Sequence, residues 1–171
     1  MKKILLLLLS ILLLGCVTEK QEEGSVDLKP GDKLPKFSVV MNDNSVVSNE
    51  TLLGRASLIV FFHTDCPDCR KGFPAIQQVY EEFGDKVTFV AIGTGEDSEK
   101  LEGYWEKNNL TIPYSAQSDR GVFHLFAPNT IPHVFIADKN GEIKFVHADN
   151  PVATYEQLKK EVIKVMQKII N

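Results

Sequence analysis

Two cysteines stand three positions apart in Cys66-Pro67-Asp68-Cys69, just after the apolar run Leu58-Ile59-Val60-Phe61-Phe62. The spacing alone admits a redox dithiol, an inert disulfide or half of a zinc site. The setting favours the first. A short unbroken apolar run reads as a strand buried on both faces, and Phe73, Ile76, Val79, Tyr80 and Phe83 then recur at helical spacing. The pair therefore lies where a strand becomes a helix. A thiol there meets unpaired backbone N–H groups and the positive end of the helix dipole, both of which favour thiolate. Cys66 is the expected nucleophile, and Cys69, one turn on, is the expected resolver of its mixed disulfide. Asp65, Pro67 and Asp68 are their immediate supports. Zinc would need two further Cys or His at close spacing, and the one remaining cysteine is Cys16. No metal and no cofactor are expected.

Cys16 belongs to a different chemistry. Met1-Lys2-Lys3 precedes the apolar stretch from Ile4 to Leu14, interrupted only by Ser10. This has the form of a signal peptide, and it is shorter than the roughly 20 apolar residues of a transmembrane helix. Leu13-Leu14-Gly15-Cys16 resembles the bacterial lipoprotein box, which implies cleavage before Cys16, a diacylglycerol on its sulfur and an acylated amino terminus. More than one acyl chain gives stable membrane anchoring. Thr18 to Ser25 is polar and reads as a tether. The expected organisation is a signal peptide over 1–15, the lipidated cysteine and tether over 16–30, and one folded domain over 31–171.

The chain has 171 residues and a net charge of -4; without the first fifteen residues, 17 basic face 23 acidic side chains, a net of -6. Nucleic acid is a poor partner for such a domain, because phosphate neutralisation supplies most of that affinity.

Around the dithiol a coarse element order emerges. Phe37–Met41 and Ser45–Val47 form a hairpin, and Leu58–Phe62 leads into a helix over 66–83. Val87–Ile92 is a strand, followed by a helix over 97–108 capped by Asp97 or Ser98. His133–Ala137 and Glu142–Val146 flank the hairpin signal Asn140-Gly141, and Thr154–Ile170 is a final amphipathic helix. This order requires an α/β fold with a central mixed sheet and helices on both faces.

These pieces resemble the thioredoxin superfamily, specifically its extracytoplasmic TlpA-like and ResA-like thiol-disulfide oxidoreductases. The resemblance runs from about Gly31 to Asn171. It rests on Gly31-Asp32-Lys33-Leu34-Pro35-Lys36-Phe37, on the strand entering Cys66-Pro67-Asp68-Cys69, on Phe73-Pro74, on Thr130-Ile131-Pro132 with the strand after it, and on Asp138-Lys139-Asn140-Gly141-Glu142-Ile143. It implies a thioredoxin-like fold with an N-terminal β-hairpin extension. It also implies a cis Ile131-Pro132 peptide facing the dithiol, where an extended substrate strand can pair, and it brings His133 near Cys66 as an active-site support.

The implied activity is reduction of disulfides in envelope proteins, for example in cytochrome c maturation, by a monomer supplied with electrons by a membrane dithiol. A non-catalytic envelope module binding copper or a peptide in the same groove is the alternative. Copper carriers of this fold use CxxxC rather than CxxC. A peroxidase reading also fails, because Thr64 stands two rather than three residues before Cys66.

Three positions depart from the family. Asp65 stands where Trp is usual. Val60 and Gly72 stand at the two positions where relatives place a buried acid, so Asp65, Asp68, a histidine or water is left to carry the proton. Unpaired carboxylates at Asp65 and Asp68 would disfavour a thiolate at Cys66 and make the dithiol a reductant. Tyr104, Trp105 and Phe123 are expected in the core rather than in a groove, and His63, His124 and His147 have no assigned place.

Overall fold

The computed structural model describes residues 26–149 and 151–167; the signal-peptide and lipidation readings, with most of the tether, lie outside the described residues. The elements are β1 (Ser38–Val40), β2 (Val46–Ser48), β3 (Ser57–Phe62), α1 (Pro67–Phe83), β4 (Thr88–Thr94), α2 (Ser98–Lys107), β5 (Tyr114–Gln117), α3 (Gly121–His124), β6 (His133–Ala137), β7 (Ile143–Ala148) and α4 (Tyr155–Gln167). Among the described residues, no helix is long and apolar enough to cross a membrane.

β1 and β2 form the antiparallel N-terminal hairpin, and the other strands form one mixed sheet in the order β5-β4-β3-β6-β7. β4 runs parallel to β3 and β5 parallel to β4, whereas β6 and β7 are antiparallel. Every residue of the central β3 is buried, as expected for an apolar strand covered on both faces.

Its alternation divides the core. Leu58, Val60 and Phe62 face α1, α2 and α4, while Ile59 and Phe61 face Phe123, Phe126 and the hairpin residues Phe37, Val39 and Met41. The helices are thus unevenly shared. Two successive parallel crossovers, β3-α1-β4 and β4-α2-β5, step the same way across the sheet, and a common hand places both helices on one face. Among the described residues, the single-turn α3 and the hairpin are left to close the other.

β5 and α3 are additions to the sequence reading. Tyr-Ser-Ala-Gln carries no apolar run, and β5 exists because distant groups complete it. Tyr114 donates its N–H to Asn42 Oδ1 at 3.0 Å, and the Ser115 hydroxyl donates to the Val40 carbonyl at 2.7 Å.

Two packing features fix the ends of the dithiol segment. Phe62, Phe73 and Trp105 bring their rings within 4.8–5.3 Å of one another, tying β3 to α1 and α2. Trp105 and Phe123 are core residues, whereas Tyr104 is half-buried. One turn beyond Cys69, a Cβ built on Gly72 would stand 2.7 Å from Val152 Cγ1. The segment before α4 therefore occupies the space that a side chain at 72 would need.

An alanine normally gains about 0.5–1 kcal/mol over glycine inside a helix. Gly72→Ala should instead destabilise the fold by about 1–3 kcal/mol, the usual cost of overpacking. Urea unfolding should also show that Gly72→Ala with Val152→Ala loses less than the two single losses together.

Candidate active site

The link from β3 to α1 is His63-Thr64-Asp65-Cys66. Cys66 is the N-cap of α1, with extended backbone (φ -75°, ψ 118°), and its sulfur accepts the Cys69 N–H at 3.2 Å. Its own N–H donates to the His63 carbonyl at 3.0 Å. Pro67, as the first helical residue, lacks the N–H that would have needed a partner. Across from the cap, Cys66 Sγ lies 3.6 Å from the Ile131 carbonyl oxygen, and the Ile131–Pro132 peptide is cis. Ile131, 65 residues away in sequence, and Pro132 after it are thus brought to the sulfur.

The two thiols, both free, differ in environment. Cys66 is half-buried and Cys69 only 2% exposed. Burial, and secondarily its contact with the Cys66 sulfur, pushes the Cys69 thiol far above the usual range. The arrangement presents one sulfur at a helix N-terminus to an incoming group and stores the other as a protonated thiol beneath it.

The flanking carboxylates differ from expectation. Asp65 Oδ2 lies 2.7 Å from Lys100 Nζ, and Asp68 Oδ1 lies 2.8 Å from Lys71 Nζ. Hydrogen bonding to Lys100 holds the Asp65 carboxyl below its ordinary range. The negative charges beside Cys66 are therefore paired, and a poise argued from unpaired carboxylates does not apply.

His133 is a second correction. It pairs with Phe61 across the sheet and shares the face of Phe61, away from α1. There it is 3% exposed, stacks on Phe135 at 4.8 Å, and sets Nδ1 3.1 Å from the Thr130 carbonyl oxygen. Being next to Pro132 brings its backbone near the dithiol, but strand alternation turns its ring to the opposite side. His147 bonds Glu161 at 2.6 Å, between β7 and α4.

One carboxylate escaped the sequence reading. Glu96, in the link from β4 to α2, has a fully buried side chain and accepts hydrogen bonds from the Thr64 N–H at 2.9 Å and from the Thr64 hydroxyl. Lys100 Nζ lies 3.1 Å and His63 Nδ1 3.6 Å from it. A buried acid thus reaches the link before Cys66 from the segment after β4. The available signal was its place at the carboxyl end of a parallel strand, where loops from neighbouring strands converge. His63, Asp65 and Glu96 offer three ligand atoms within 4.8 Å of one another. The ammonium of Lys100 already supplies a cation to both carboxylates. Beside them a cleft opens between α1 and α2, lined by Thr64, Asp65, Arg70, Lys100, Tyr104 and Lys107.

Comparison with known proteins agrees with this geometry. The sequence profile of the Redoxin family matches residues 29–161. The thioredoxin-like protein YneN of Bacillus subtilis is 27% identical over 154 residues, covering 86% of this chain and 90% of the relative. The thiol-disulfide oxidoreductase ResA of the same organism is 23% identical over 121 residues, covering 70% of this chain and 68% of ResA. Two solved structures share the fold. A thiol:disulfide interchange protein of the thioredoxin family from Chlorobium tepidum superposes with a TM-score of 0.69 at 24% identity, over 82% of this chain and 99% of that one. StoA from Bacillus subtilis gives 0.64 at 24% identity, over 77% and 98%.

Burial holds the His133 imidazole below its ordinary value of 6.5. As pH falls through that value, the unfolded chain takes up the proton first. Stability from this site is therefore complete above it and declines below it. Denaturant unfolding between about pH 7.5 and pH 5.5 should show a steeper loss in the wild type than in His133→Phe.

Proposed function

This chain belongs to the Redoxin family and is a thiol-disulfide oxidoreductase of the thioredoxin superfamily, and from that premise we propose that it is a lipid-anchored reductase of disulfides in bacterial envelope proteins. The observation that carries the reading is the half-buried sulfur of Cys66, set at the start of α1 and 3.6 Å from the Ile131 carbonyl oxygen. An extended substrate segment can pair with backbone groups at such a turn while its disulfide meets the sulfur.

The Cys66 thiolate attacks one sulfur of the substrate disulfide. A mixed disulfide forms, and the other substrate sulfur leaves as thiolate and takes a proton. Cys69 then gives up its proton and attacks Cys66, releasing the second substrate thiol and leaving a Cys66–Cys69 disulfide. Counted from the neutral dithiol, two electrons and two protons have passed to the substrate. A membrane dithiol restores the enzyme by the same exchange in reverse. Apoproteins of cytochrome c are the substrates that the family resemblance suggests. Cys16, in its lipoprotein-like box, supplies the anchor, and the polar residues after it give the domain reach.

Two experiments test this reading. In cells, Cys69→Ala should accumulate mixed disulfides between Cys66 and envelope proteins, while Cys66→Ser should form none, as read on non-reducing gels. Trapping through Cys69 in the Cys66→Ser variant would reverse the division of labour. Cys16→Ser should move the protein from the membrane to the soluble fraction with its turnover of a small disulfide unchanged; continued membrane association would refute the lipid anchor.

A further inference from the structure

The residues just before Cys66 are held by charge from two directions. Glu96, buried beneath the link, accepts both the N–H and the hydroxyl of Thr64. Asp65, 71% exposed, points outward. One ammonium joins the two acids, since Lys100 Nζ stands 2.7 Å from Asp65 Oδ2 and 3.1 Å from Glu96 Oε1. Arg70, from the first turns of α1, adds a longer bond of 3.4 Å to the Thr64 carbonyl. Two carboxylates thus face one ammonium at close range and, farther off, the guanidinium of Arg70. Without the ammonium, a buried carboxylate would lose its nearest counter-charge, and both acids would act more strongly on Cys66.

We propose that Lys100 is a positioning residue for the redox reaction: by bridging Asp65 and Glu96 it holds the segment leading to Cys66 and sets the redox poise of the dithiol. The proposal rests on Cys66 being the attacking thiol. It gives Asp65 a counter-charge on α2. Lys100 is itself held in the charged form, chiefly by Asp65 and then by Glu96.

The sign follows from the charges. Removing the ammonium makes a thiolate at Cys66 less stable, so the reduced form weakens and the protein becomes more reducing. Removing a carboxylate does the opposite. For one unit charge at about 8 Å and an effective dielectric of about 40–80, the change is roughly two- to sixfold in the equilibrium.

The test is equilibration of the full chain, in detergent, against a series of reduced and oxidised glutathione, at a pH where Cys66 is ionised. Lys100→Met should shift the equilibrium two- to sixfold toward the protein disulfide, about what one charge supplies. Asp65→Asn and Glu96→Gln should shift it toward the dithiol, and Lys100→Arg should keep the wild-type value. High salt should shrink the Lys100→Met shift, because the Debye length falls to about 3 Å at about 1 M. Asp65 is exposed, so its variant reports even if Glu96→Gln folds poorly. Shifts of one sign in Lys100→Met and Asp65→Asn, or lowered melting temperatures with an unmoved equilibrium, would overturn the proposal. If the wild type forms no Cys66–Cys69 disulfide at any glutathione ratio, the oxidoreductase reading fails, and this proposal with it. A normal wild-type equilibrium that all variants share defeats the Lys100 proposal alone.

Discussion

Backbone N–H groups in the first turn of α1 have no carbonyl partner inside the helix, and the sulfur of Cys66 takes the one on Cys69 at 3.2 Å. This single contact makes the sulfur of Cys66 part of the helix cap. It requires extended backbone at Cys66, a first helical residue that needs no hydrogen bond, and a preceding strand that cannot shift. Pro67 meets the second requirement, and the fully buried β3 meets the third. The rings of Phe62, Phe73 and Trp105 then fix the angle between strand and helix.

From that geometry follows the asymmetry of the thiols. A sulfur that caps a helix stays at the surface of the turn, whereas the residue three positions later points down into the core. Cys69 is accordingly buried, and burial opposes its ionisation. Polar groups around the pair come from other elements. Ile131 supplies a carbonyl from the turn before β6, and Glu96 supplies a buried carboxylate from the end of β4. Gly72 cannot host an acid of its own, because Val152 already fills its space. Packing thus keeps position 72 free of a side chain, while Glu96 is held to the link before Cys66.

Much of this was open to inspection in the chain itself. The dithiol at a strand-to-helix junction, the order of the longer elements, the Asn-Gly turn between β6 and β7 and the α/β class all follow from local composition and periodicity. Such signals are short-ranged, and a buried strand or an amphipathic helix announces itself within its own residues. β5 and α3 did not, since one is a four-residue edge strand completed by Asn42 and Val40 and the other is a single turn.

Local sequence was enough to put the dithiol at the head of a helix, because a helix start and a buried strand are written in neighbouring residues. Tertiary structure alone decided what surrounds them. His133 turned away because β6 pairs with β3 in a register that sets it beside Phe61. Asp65 ceased to be a free charge because Lys100 reaches it from α2. Glu96 became the buried acid because β4 lies parallel to β3 and ends beside it. Each depends on which strands are neighbours and in what register, and pairing across 30 or more residues leaves no mark in local composition.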